Sequence, residues 1–120
     1  MPKHSDIESF LPLTPAVFHI LMSLSDGEMH GYAIMEEVKR STDGRVKMGP
    51  GTLYGTIKRL LESKLVEESK QRPDPESDDE RRRYYRLCDL GDKVMRAELR
   101  RYAKVLATAE SKGLPVTATA

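Results

Sequence analysis

Apolar residues recur at helical spacing in four separate stretches of the chain. In "LTPAVFHILMSLSDGE", residues 13–28, Val17, Ile20, Leu21 and Leu24 share a face, with Phe18 and Met22 beside them. Thr14 suits the N-cap, Pro15 the first helical position and Gly27 the stop. "MHGYAIMEEVKRSTDG", residues 29–44, predicts a second helix. Tyr32, Ala33, Ile34, Met35 and Val38 form its buried side, Glu36, Glu37, Lys39 and Arg40 face water, and Asp43-Gly44 ends it. "PGTLYGTIKRLLESKLV", residues 50–66, carries Leu53, Ile57, Leu60 and Leu61 as one apolar stripe. From about residue 89 to 111, Met95, Leu99, Tyr102, Leu106 and Ala109 alternate spacings of four and three, which is a heptad seam.

Between the third and fourth stretches the pattern shortens. "KLVEESKQ" reads as a strand, "RPDPESDDE" as a polar turn with two prolines, and "RRRYYRLC" as a returning strand with Tyr85 and Leu87 on one face and Tyr84 and Arg86 on the other. The fold class is therefore mainly α with a two-stranded wing: a winged helix-turn-helix plus a long C-terminal helix. Residues 1–12 are expected to be an arm, 13–88 the winged unit, 89–112 the dimerisation helix and 113–120 a tail.

The third helix raises a question of chemistry. Its front is crowded with poor helix formers. With the leucine stripe buried, Thr52, Tyr54, Thr56, Lys58 and Arg59 are left on or near the outer faces. A recognition helix offers its N-terminal residues to the major groove, and small residues there let backbone approach phosphate. Pro50, Gly51 and Gly55 then serve as clearance and approach. The plainer alternative is that Pro50 is a helix start and Tyr54 a half-buried packing residue. Arg81, Arg82 and Arg83 fall where a wing meets backbone or minor groove. The plainer reading of that run is a solvated segment neutralised by the acidic "PESDDE" before it.

The last helix, roughly 33 Å long at 1.5 Å per residue, is long for a 120-residue monomer. Pairing with the same helix of a second copy through Met95, Leu99, Tyr102, Leu106 and Ala109 would explain it, and folding back on the first helix is compatible with that. Two-fold pairing would set two recognition helices about 34 Å apart.

Composition narrows the field. Charged residues make up 32% of the chain with a formal net charge of +1, so only local segregation of charge can mark a nucleic-acid surface. The single cysteine, Cys88, excludes an internal disulfide, and the histidines His4, His19 and His30 have no ligand spacing. No metal or cofactor is called for. No run reaches the roughly 18 apolar residues of a membrane span, and the expected location is cytoplasmic. No paired or triad arrangement of catalytic groups stands out, so an enzyme is not expected.

The chain resembles the PadR family of bacterial transcriptional regulators. The likeness is carried by "LTPAVFHILMSLSDGEMHGYAIMEEV", "GPGTLYGTIKRLLESKLV", "RRRYYRLCDLG" and the closing helix, with "GTLY" before "RL" and "LV" the most specific part. It implies a transcription factor, typically a repressor, that binds a palindromic operator as a homodimer through one C-terminal helix. It also implies DNA contacts at Tyr54, Thr52, Lys58, Arg82 and Arg83. A small aromatic or lipophilic effector near the dimer interface is implied too. Phe10, Phe18, Met22, Met95 and Tyr102 are candidates to line such a pocket, though each alone is better explained as core.

This chain departs from the family at three points. Lys64 stands where a glycine is usual, which predicts a less sharply turned helix end. Cys88 stands where a capping threonine is usual, so Asp89 is expected to cap the last helix. There is no tryptophan. The alternative function is a winged-helix module that binds protein without DNA.

Overall fold

The computed structural model describes residues 4–69 and 83–117. The expected polar turn at 72–80, the end of the preceding strand stretch, and Arg81 and Arg82 lie outside these residues. Five helices and three strands are described: α1 (His4–Glu8), α2 (Pro15–Leu24), β1 (Met29–His30), α3 (Gly31–Ser41), α4 (Pro50–Glu62), β2 (Val66–Ser69), β3 (Tyr84–Leu87) and α5 (Asp89–Ser111).

Local chemistry explains most boundaries. The Thr14 hydroxyl accepts a hydrogen bond from the Val17 amide at 3.2 Å, and Pro15 opens α2. Asp43 and Gly44 both adopt positive φ after α3, and the Gly44 amide donates to the Lys39 carbonyl at 2.7 Å. Gly113, at φ 74°, ends α5, with the Leu114 amide reaching back to the Ala109 carbonyl at 3.0 Å.

The second helix runs for 11 residues, and a short strand that the pattern does not predict comes just before it. Met29 and His30 are extended and form β1, which pairs antiparallel with β3 (Met29 opposite Tyr85, His30 opposite Tyr84). β2 pairs with the other edge of β3, so the sheet has three strands in the order β1-β3-β2. The extended His30 also caps α3: its Nδ1 accepts from the Ala33 amide at 3.2 Å. On α3 the buried positions are Gly31, Ile34 and Val38, which turns Tyr32 outward to 58% exposure instead of into the core. On β3, Tyr84 joins Tyr85 in being buried, with its ring edge-on to His30.

Two other expectations are corrected. Lys64 takes φ 64°, and the amides of Lys64 and Leu65 close back on the carbonyls of Leu61 and Leu60. The chain thus turns as sharply as a glycine would, despite the side chain. The N-cap of α5 is Cys88, without a side-chain cap bond; Asp89 is the first helical residue and pairs with Lys93 at 3.0 Å.

The core is one cluster. Ile20, Leu21 and Leu24 of α2 meet Ile34 and Val38 of α3, Leu53, Ile57 and Leu60 of α4, and Val94 and Met95 of α5, with Leu65, Val66 and Tyr85 closing the wing side. Gly91 lets α5 cross the turn after α4: a Cβ there would strike the Leu65 carbonyl, whose oxygen also accepts the Cys88 amide at 3.0 Å. α1 packs on α5, and Ile7 and Phe10 rest against the core. The fully buried Glu98 of α5 accepts the Leu13 amide at 2.6 Å.

Candidate nucleic-acid interface

α4 divides cleanly into two faces. Leu53, Thr56, Ile57 and Leu60 are buried at i, i+3, i+4 and i+7. Thr56 therefore belongs to the inner stripe and not to the outer face, and its hydroxyl donates to the Thr52 carbonyl at 2.7 Å. On the opposite side Gly51, Tyr54, Gly55 and Lys58 follow the same spacing. Gly51 and Lys58 are exposed, Gly55 is part-buried and Tyr54 is 48% exposed. Thr52 is exposed beside them.

The two glycines face empty space. A Cβ added at Gly51 or at Gly55 would meet nothing within 4 Å. Neither packing nor a positive φ requires glycine at these positions, and each weakens the helix relative to alanine. The N-cap residue, Gly49, supplies no side-chain cap. This end is thus less satisfied than the capped starts of α2 and α3, and it suits an anion.

Tyr54 lies over the start of α3, where Gly31 leaves room for its ring. Tyr85, at the base of the wing, is close enough to feel it. Burial pushes the Tyr85 phenol above its ordinary value, the neighbouring Glu68 and Tyr54 add to the rise, and Arg83 opposes it. The tyrosine of α4 and the first turn of α3 therefore meet, and β1, just before α3, pairs with β3 of the wing.

Of the expected wing cations, Arg83 is described. It is exposed and pairs with Glu68 across the strands at 3.2 Å. An exposed pair of this kind contributes little and leaves the guanidinium available to another anion. Arg86 is bound to Glu67 at 2.6 Å and lies 3.8 Å from Glu28. Arg59 is exposed on α4, with Nη2 3.3 Å from the Thr56 hydroxyl.

The expected dimer seam is split. Met95 is buried in its own chain's core, whereas Leu99, Tyr102 and Leu106 are exposed, Val105 with them, and Ala109 is part-buried. Beyond Glu98 no described residue of α5 is buried. The five expected effector residues differ in burial. Phe18 is buried with its ring 5.1 Å from that of Tyr102, Met95 is in the core, Phe10 is against it, and Met22 is on the surface. A separate cleft of about 630 Å³ beside α5 is lined by Glu8, Arg101, Lys104, Val105, Thr108 and Leu114 among others.

Three helices, a wing and an exposed α4 face define a winged-helix protein. Residues 20–97 match the PadR-like family of transcriptional regulators, and the chain belongs to that family. It is similar to an uncharacterized 37.1 kDa protein in transposon TN4556 of Streptomyces fradiae, at 41% identity over 58 residues; the match covers 45% of this chain and 16% of that protein. Its fold is like that of a PadR family transcription regulator from Clostridium difficile, with a TM-score of 0.67 at 18% identity, covering 82% of this chain and 97% of that one. The PadR of Bacillus subtilis, solved in complex with operator DNA, matches with a TM-score of 0.59 at 20% identity, over 69% of this chain and 45% of that one. Among the described residues no helix is long and apolar enough to cross a membrane.

Proposed function

We propose that this regulator is a repressor that binds a palindromic DNA operator as a homodimer. The observation that carries the reading is the outer face of α4. Gly51 and Gly55 stand there without an internal reason, framing Tyr54 and Lys58 at the uncapped end of a helix. Glycine clearance, free amides, a hydrogen-bonding aromatic and a cation are what close approach to a phosphate backbone and base edges requires. Arg81, Arg82 and Arg83 would hold the wing to the backbone. A family relative solved with operator DNA supports the same partner.

The dimer rests on α5, whose second half leaves Leu99, Tyr102, Val105 and Leu106 exposed in a single chain. Pairing these residues with a second copy would cover an apolar strip that is costly to leave in water. A small aromatic or lipophilic effector, held near that interface, would release the operator.

Selection of bound duplexes from a random library tests the reading directly. Recovered sequences should be palindromic, and gel-shift affinity for them should fall linearly with log salt, with a slope of about −0.9 per phosphate neutralised. The second reading, a protein-binding winged helix, is favoured by the net charge of +1. Absence of any duplex binding at low salt would overturn the first reading.

A further inference from the structure

We propose that Gly31 is a positioning residue for DNA recognition: it forms the seat on which the ring tip of Tyr54 rests. The inference builds on the reading of Tyr54 as a DNA contact. Gly31 is the first residue of α3 and is buried. A Cβ placed on it would meet the phenolic oxygen of Tyr54, with Cε1 and Cζ each at 2.7 Å. Its φ lies outside the positive range found at Gly27, Gly44 and Gly113, so the backbone does not demand glycine. What demands it is the room taken by an aromatic ring from another helix.

The atoms that meet the seat lie at the far end of the side chain, while the residue as a whole is 48% exposed. The tip is therefore lodged against α3 while much of the residue stays open to solvent. An exposed tyrosine free of such a seat would sample several rotamers, and ordering it on binding costs affinity. The seat holds one direction in advance. A methyl group at position 31 would push the ring tip off α3 and swing the phenol away from that direction. Because the clash falls on the side-chain end of a half-exposed residue, the helices themselves need not move.

The test is a double-mutant cycle on a duplex selected by the wild-type protein, with affinities from gel shift and folding from circular dichroism melts. Gly31→Ala should fold with a melting temperature near wild type and bind about tenfold more weakly. Tyr54→Ala should lose a similar factor, and the double variant should bind no worse than Tyr54→Ala alone. The inference is overturned if Gly31→Ala binds like wild type while Tyr54→Ala does not. It is also overturned if Gly31→Ala costs its full factor again in the Tyr54→Ala background, or if it does not fold, which would place the seat in the core. Wild-type affinity in Tyr54→Ala would instead remove the DNA-contact reading beneath it.

Discussion

The Leu13 backbone N–H donates to Oε2 of Glu98, 85 residues away, at 2.6 Å. The other carboxylate oxygen of Glu98 accepts from the Arg101 guanidinium one turn on. Glu98 is fully buried, whereas the Arg101 side chain is 45% exposed. One carboxylate thus fastens the segment entering α2 to the middle of α5, at the point where α5 leaves the core. Both partners are charge-assisted or backbone donors, which is what makes a buried carboxylate tolerable.

Replacing Glu98 with alanine should therefore destabilise the fold by about 2–3 kcal/mol, from an orphaned part-buried amide and a cavity. Glu98→Gln should cost less, since its carbonyl can still accept from Leu13. Urea denaturation of the three proteins checks the order; equal stability would mean the amide finds another partner.

Lys64 offers a gain in stability. A non-glycine residue in the left-handed region costs roughly 1–2 kcal/mol per residue, part of which glycine gives back through a more flexible unfolded chain. Lys64→Gly should stabilise by about 0.5–1 kcal/mol. A lower denaturation midpoint would show that the lysine side chain holds a compensating contact.

What the sequence made legible was local. Thr14 and Pro15 at a helix start, and the Leu53, Ile57 and Leu60 stripe, follow from spacing and capping, because both concern residues within one or two turns. What it concealed was tertiary. Two residues of β1 are too few to show a period of two, and their strand exists only because β3 lies alongside. Tyr32 faces out and Thr56 faces in, against the pattern, because stripes on short helices are ambiguous by one position until a neighbour fixes the rotation. Glu98 is buried because Leu13, far away in the chain, is brought against it, which spacing within α5 cannot show. The candidate interface divides the same way: Gly51, Tyr54, Gly55 and Lys58 share a face by spacing alone, whereas the seat at Gly31 is visible only once α3 meets α4.

Gly55 separates stability from recognition. Its Cβ would enter open space, so Gly55→Ala should raise stability by about 0.5–1 kcal/mol through helix propensity. The same methyl group would stand where DNA backbone is proposed to approach, and operator affinity should fall by about fivefold or more, equivalent to roughly 1 kcal/mol. A stabilised variant with unchanged affinity would move the close approach elsewhere.

Cys88 should be a sluggish thiol. Burial is the main cause raising its pKa above the ordinary 9.0, with the Glu67 carboxylate adding to it and Arg86 opposing. Thiolate is the reactive form, so alkylation of the folded protein at pH 8 should run slower than in denaturant. Because the folded pKa is the higher one, this group's contribution to stability is fully present below the unfolded value and is lost as pH rises through the folded value. A pH–rate profile with its midpoint at or below 9.0 would contradict the assignment.

The last prediction concerns assembly. Leu106 is 48% exposed and Leu99 38% in the single chain, and neither is among the buried core residues, which on α5 end at Glu98. A glutamate at either position can therefore be accommodated by an isolated chain with little loss of secondary structure. In a two-fold pair the same substitution would set two carboxylates against apolar surface near the axis, where each leaves water without a partner. Leu106→Glu and Leu99→Glu should keep the helical circular dichroism signal but halve the mass measured by light scattering. Operator affinity should fall with it, because two half-site contacts would no longer be linked. A dimer that survives both substitutions would place the interface on another face, with α1 and the cleft beside Val105 the next surface to probe.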